Sequence, residues 1–258
     1  MNHGHESDEA SLELGNIQTQ WSLVRRAHQT SMFGASASEA RNALVMRYAS
    51  AIRRFVQMVV RDPQLADELS QDAMVRLLKG DFAGADPNRG RFRDLLKTAV
   101  RNMARNHWTK EKRRSPVDFD LTLLDGDDDE VSAELDAKWT SQWRENVMGI
   151  VWDQLKAWER SQTASFPYTI LKLRSEFPDD SSQQLADRLS IATGREFKAD
   201  TTRQQLRRSR VRFVELLVAE IASGLPDASP ENLKDELSDL GLFESVKDVL
   251  PKSWQENS

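Results

Sequence analysis

A chain of 258 residues with 39% hydrophobic and 30% charged residues can build small helical cores but not one thick interior, so two modest domains are favoured over a single large one. The absence of cysteine excludes disulfides, thiolate-held zinc, iron–sulfur clusters and cysteine nucleophiles. No run approaches the roughly 18 apolar residues a membrane helix needs, and Met1 to Gly15 is acidic where a signal peptide is basic and then apolar, so the expected location is the cytoplasm, away from any membrane.

Residues 1 to 16 are polar and aperiodic and are expected to be disordered. A short helical pattern runs from Trp21 to Ala27. From Glu39 to Val60, the spacing of Ala43, Leu44, Tyr48, Ile52, Phe55, Val56, Val59 and Val60 predicts an amphipathic helix that stops before Asp62-Pro63. Leu65, Leu69, Ala73, Leu77 and Leu78 form the stripe of a second helix, ended by Gly80. A loop rich in Gly, Asp, Asn and Pro, Gly80 to Gly90, precedes a third helix beginning near Arg91. Its inner face is Phe92, Leu95, Leu96, Ala99, Val100, Met103 and His107.

Residues 115 to 137 carry Pro116, Gly126 and a run of acids from Asp118 to Asp136, a composition that predicts a linker. A second domain then starts with Trp139, Trp143, Val147, Ile150, Val151, Leu155 and Trp158 on one helical face. Tyr168 to Phe177 is a further helix closed by Pro178. Ser182 to Leu189 follows, with Ser181 or Ser182 as its N-cap, then a turn containing Gly194 and a long helix from Asp200 to Ala222. Short helix, turn and long basic helix form the helix-turn-helix pattern. The tail beyond Pro226 adds one more stripe, Leu233, Leu237, Leu240, Leu242, Phe243, Val246 and Val249. The expected fold class is all-α.

The net charge of -5 hides a segregation of sign. Arg93, Lys97, Arg101 and Arg105 fall at four-residue steps, which places them on one face of the third helix, where evenly spaced cations can follow a phosphate backbone. The stripe continues into Trp108, Lys112, Arg113 and Arg114, and Asn102, Asn106 and Trp108 among these cations suit unstacked bases. The plain alternative is a solvated surface helix, with Trp108 packed at the helix end. In the last long helix Leu206, Phe213, Val214, Leu217, Val218 and Ile221 point inward, which leaves Arg203, Gln204, Arg207, Arg208 and Arg210 available near its amino-terminal half. Arg and Gln make bidentate contacts with guanine and adenine; a solubilising arginine face is the alternative. His3-Gly-His5 could bind a metal ion, but in a terminus expected to be disordered such a pair is incidental, and His28 and His107 have no clustered ligands. In the acidic run beginning at Asp125, Glu130 occupies the position where a calcium loop turns on Gly, and Asp136 the position of its bidentate Glu. No cofactor, metal site or catalytic motif is expected, and the chain reads as a non-enzyme.

Two stretches resemble the sigma-70 superfamily, specifically its minimal extracytoplasmic-function group. Ala66-Asp-Glu-Leu-Ser-Gln-Asp-Ala-Met-Val-Arg-Leu-Leu78 resembles the polymerase-binding helix of region 2, and Arg89-Gly-Arg-Phe-Arg-Asp-Leu-Leu-Lys-Thr-Ala-Val-Arg-Asn102 its promoter-melting helix. Gln184-Leu-Ala-Asp-Arg-Leu189 with Gln204-Gln-Leu-Arg-Arg-Ser-Arg210 is similar to the region 4 helix-turn-helix. The connection from Ile191 to Asp200 is longer than that family's tight turn, and the tail beyond Gly224 exceeds its minimal architecture.

The resemblance implies a region 2-like domain over 17–114, an acidic linker over 115–137, a region 4-like domain over 138–224 and a helical extension over 225–258. It implies that Asp67, Glu68, Leu69, Gln71 and Asp72 dock on core RNA polymerase, whose β′ and β subunits are the expected partners, with promoter DNA and a regulatory protein such as an anti-sigma factor beside them. Arg93, Lys97, Arg101, Asn102, Arg105, Asn106, Trp108, Lys112, Arg113 and Arg114 would face the −10 element, with the loop from Gly80 to Gly90 taking an extruded base. Thr202, Arg203, Gln204, Arg207 and Arg208 would read the −35 element. A stand-alone helix-turn-helix repressor and a helical protein-binding adaptor are the alternatives.

Overall fold

The computed structural model describes residues 35–60, 62–79, 90–114, 129–225 and 227–250, and all the regular structure among them is helical. The elements are α1 (Ala35–Val59), α2 (Pro63–Lys79), α3 (Phe92–Arg114), α4 (Asp129–Arg160), α5 (Pro167–Glu176), α6 (Ser182–Thr193), α7 (Ala199–Ser223), α8 (Pro230–Asp239) and the single turn α9 (Phe243–Val246). The expected disordered residues 1–16, the short helix from Trp21 to Ala27, the loop 80–89 and linker residues 115–128 lie outside the described residues, as do the side chains of Trp108, Lys112, Arg113 and Arg114. Among the described residues no helix is long and apolar enough to cross a membrane.

Local chemistry sets the helix ends. Asp62 caps α2, its Oδ1 accepting from the backbone N–H of Gln64 at 2.8 Å, and Pro63 occupies the first helical position, where no amide hydrogen is needed. Ser181 caps α6 in a capping box: its hydroxyl accepts from Gln184 N–H at 3.3 Å and the Gln184 side chain accepts from Ser181 N–H at 2.8 Å. Gly194 ends α6 at φ 68, a left-handed conformation that glycine adopts without a Cβ penalty. Ser229 and Pro230 open α8 in the same manner as Asp62 and Pro63 open α2.

The packing corrects the expected boundary between linker and second domain. α4 begins at Asp129 and runs without interruption through residues 137 and 138. Leu135 extends the stripe of Trp139, Trp143, Val147 and Val151 back into the stretch whose composition reads as linker. That stripe faces the first three helices. Trp139 meets Phe55 edge-on at 4.6 Å between ring centroids, and Trp143 stacks on Tyr48 at 5.4 Å. The large core therefore gathers α1 to α4, the carboxy-terminal half of α7 through Val214, Leu217, Val218 and Ile221, and the extension through Leu233, Leu237, Leu240, Val246 and Leu250. A smaller core, Ile170, Leu185, Leu189 and Leu206, holds α5, α6 and the amino-terminal half of α7 together. α7 belongs to both cores, and its first half projects from the large one.

Candidate nucleic-acid and polymerase interface

α2 presents the first set of candidate residues. Its buried face is Ala66, Leu69, Ser70, Ala73 and Leu77. Leu69, expected among the docking residues, is only 7% exposed and belongs to this core face, so it is removed from the docking set. Glu68, Gln71 and Asp72 are exposed on the opposite side, and a shallow groove runs past Pro63, Gln64, Asp67, Glu68 and Gln71. Asp67 Oδ1 pairs with Arg53 Nη2 of α1 at 2.9 Å, and Asp72 with Arg76 at 3.1 Å. These are solvent-facing pairs of modest strength, which a partner's cations can replace at little cost.

The stripe on α3 is not one uniform cationic surface. Arg93, its first member, is buried, with Nε 3.3 Å from Glu236 Oε1 and Nη2 3.2 Å from Asp239 Oδ2 of α8. Neighbouring Arg91 pairs with the same two carboxylates, its Nη1 lying 2.7 Å from Glu236 Oε2. A backbone bond from Phe92 N–H to Gly224 O at 3.2 Å ties this end of α3 to the end of α7. Arg93 is thus a structural anchor for the extension and leaves the −10 set. Burial pushes the Glu236 carboxyl above its ordinary range, against the pull of Arg93 and Arg91. Burial alone would lower Arg91, but the Asp239 hydrogen bond and the charges of Glu236, Asp239 and Asp94 outweigh it and hold the guanidinium charged.

One and two turns further along, Lys97 Nζ lies 3.2 Å and Arg101 Nη1 3.7 Å from Asp136 Oδ1 of α4. Asn102, Arg105 and Asn106 occupy the exposed side of the helix beyond. Among the described side chains, the exposed polar surface of α3 therefore lies in its carboxy-terminal half.

On the second unit the connection between α6 and α7 is shorter than the sequence implies, because α6 continues to Thr193. It is also firmly held. Ser190 Oγ accepts from Phe197 N–H at 2.9 Å, Phe197 meets Phe166 edge-on at 5.9 Å, and Arg195 Nη1 donates to Thr163 O at 2.7 Å. Thr202 departs from its expected role: it is fully buried and its hydroxyl donates to Lys198 O at 2.9 Å, so it fixes the first turn of α7 and cannot face a base. Arg203, Gln204, Arg207 and Arg208 are exposed, with Arg203 also paired to Asp200. The carboxy-terminal segment comes close here, and Asp248 and Val249 share a groove with Arg203, Arg207 and Arg210.

Asp136, Glu220, Glu236 and Asp239 are functional neighbours that composition and periodicity passed over. A signal for two of them was present. Glu236 lies three residues after Leu233 and four before Leu240, and Glu220 three after Leu217, so each carboxylate interrupts an apolar face and must be paired inside it. Glu220 accepts from Arg47 Nε of α1 at 2.9 Å.

Comparison with known proteins bears on the first unit. Nothing matches among curated proteins, nor among solved structures. Residues 44–114, from within α1 to the end of α3, match the family of sigma-70 region 2.

Proposed function

We propose that this protein is a sigma factor of the minimal, extracytoplasmic-function kind, which binds core RNA polymerase in the cytoplasm and directs it to promoters. The observation that carries the reading is the region 2 match over residues 44–114, in the stretch where α2 exposes Glu68, Gln71 and Asp72 and α3 exposes Asn102, Arg105 and Asn106. In this reading the acidic face of α2 docks on the β′ subunit, and the outer half of α3 holds an opened −10 strand. Unstacking bases costs a few kcal/mol, which stacking and phosphate contacts to the free strand offset. Arg105 and the two asparagines supply a cation and amide groups suited to both. The phosphodiester chemistry belongs to polymerase.

The helix-turn-helix formed by α6 and α7 supports a second contact. Its exposed Gln204, Arg207 and Arg208 lie near the amino-terminal half of the longer helix, the part that meets base edges in a major groove. These residues would read the −35 element. A regulatory protein such as an anti-sigma factor remains a candidate partner for either surface.

Reconstitution with core polymerase tests the proposal. Holoenzyme should form, open a promoter template and support run-off transcription, and Glu68→Lys with Asp72→Lys should weaken core binding roughly tenfold by reversing charge on the docking face. Arg207→Ala should lower affinity for promoter duplex by about 1–3 kcal/mol and relax preference at one base pair. Tight binding to duplex without any affinity for core enzyme would instead identify a stand-alone repressor.

A further inference from the structure

Asp136 of α4 faces the middle of the cationic stripe on α3. Its Oδ1 is 3.2 Å from Lys97 Nζ and 3.7 Å from Arg101 Nη1, at the centre of the four-step stripe. Contact with α4 leaves these two cations only 20% and 24% exposed. The carboxylate is held there by its own helix, since Leu135 immediately before it and Trp139 one turn after it are both buried in the large core. The Asp136 side chain is 45% exposed, so the pairing lies near the edge of the protein, although Oδ1 is itself covered and must be uncovered before a competing anion can replace it. Asp136 Oδ1 also lacks a hydrogen bond of good geometry. The contact is therefore mainly a charge pairing, the type that a polyanion most readily exchanges.

From this arrangement we propose that Asp136 is an autoinhibitory group: an internal anion that occupies the inner half of the α3 stripe and that nucleic-acid phosphates must displace in order to use Lys97 and Arg101. This inference rests on the reading of α3 as the strand-holding helix. In the free protein the charge that a strand would gain from Lys97 and Arg101 on the inner half of α3 is offset by Asp136. When polymerase or a melted strand brings phosphates to the stripe, the exchange of one carboxylate for several phosphates releases counterions and favours the bound state. Asp136 thus lowers non-specific binding by the free factor without changing the binding groups themselves.

The test uses the full-length chain. Anisotropy titrations with labelled single-stranded and duplex DNA compare the parent with Asp136→Asn and with Asp153→Asn, the latter an exposed acid further along α4 that removes the same charge away from the stripe. Asp136→Asn should bind single strands roughly two- to five-fold more tightly at low salt. The gain should shrink as salt rises, with a steeper dependence of affinity on salt, and Asp153→Asn should match the parent. Placing Asp136→Asn on a Lys97→Gln, Arg101→Gln background should abolish the gain, a result that a merely structural aspartate would not produce. Equal gains in both single variants would reduce the effect to net charge, and no gain would overturn the inference outright. Run-off transcription separates this from the promoter reading. Active holoenzyme with no gain for Asp136→Asn removes the autoinhibitory contact alone, whereas a gain with inactive holoenzyme removes the promoter reading and leaves the contact in place.

Discussion

Glu236 and Arg93 meet with side chains 5% and 8% exposed, in surroundings where a lone charge is expensive. Removing one partner should therefore destabilise far more than removing a surface pair. Glu236→Ala is expected to lower unfolding free energy by about 2–4 kcal/mol in urea titrations, since among the described residues Arg93 then keeps Asp239 and Asp94. A change as small as that of a solvent-exposed ion pair would show that water already neutralises the site. The same carboxyl gives a pH signature. Its value in the folded state is raised by burial, so the folded chain holds a proton there after the unfolded chain has lost it. Its contribution is then fully present below the ordinary carboxylate range and declines as pH rises through the raised folded value. The stability of the parent relative to Glu236→Gln should fall across the weakly acidic range, and a constant difference would contradict the direction of the shift. Ser181 closes its capping box by hydroxyl acceptance, and Ser181→Ala should remove about 1 kcal/mol from the unit of α5, α6 and the start of α7, readable as faster amide exchange in α6.

At the scale of elements, the sequence revealed most where periodicity and end signals agree. The helix expected from Tyr168 to Phe177 is Pro167–Glu176, and that expected from Asp200 to Ala222 is Ala199–Ser223. Each has a breaker or a turn at its end, and in each the apolar spacing matches the helical period. The acidic run before Trp139 misled because composition and period disagree there: Asp129 to Asp136 reads as solvated chain, yet Leu135 continues the four-residue steps of Trp139, Trp143, Val147 and Val151. Period is the stronger signal when the apolar residues are large enough to anchor a helix by packing. The site shows the same division. That α3 carries a cationic stripe was legible from spacing, but which cations are available depends on carboxylates distant in the chain, Asp136 from α4 and Glu236 and Asp239 from α8, and no local pattern places those opposite Lys97 or Arg93. Trp139 tests the packing that sets α4 in place. It is 1% exposed against Phe55, and Trp139→Ala should lose about 3–5 kcal/mol in chemical denaturation together with near-ultraviolet dichroism from the aromatic cluster. Loss confined to the second unit, with α1 to α3 unaffected, would show that α4 does not belong to the first core.

For the whole molecule the decisive feature is that the carboxy-terminal extension is built into the large core. Leu233, Leu237, Leu240, Val246 and Leu250 are each no more than 5% exposed, and they cover the same core that contains Phe92, Trp143 and Leu217. Burying one such side chain is worth about 1.5–3 kcal/mol, so several together rival the roughly 5–15 kcal/mol that separates a folded domain from its unfolded chain. Removing them also takes away Glu236 and Asp239, leaving Arg93 to face a core with neither of its α8 carboxylates. A chain ending at Leu225 should therefore lose the cooperative melting transition of the large core or shift it down by more than about 10 °C, a shift on the scale expected when several kcal/mol are lost. The small core answers differently. Its buried residues are Ile170, Leu185, Leu189 and Leu206, and it is coupled to the rest by the continuation of α7 into Val214 and Leu217 and by α4, where Trp152 meets Tyr168 edge-on at 5.8 Å and Glu159 accepts from the Thr169 hydroxyl at 2.6 Å. Amides of α5 and α6 should accordingly exchange faster than those of α1 and α4 in the intact protein, and truncation should alter them less than it alters α3. If instead α3 and α6 lose protection together, to the same extent, α7 and the α4–α5 contact couple strongly enough to make the two cores one folding unit, and the exposed arginines of α7 cannot move independently of α3.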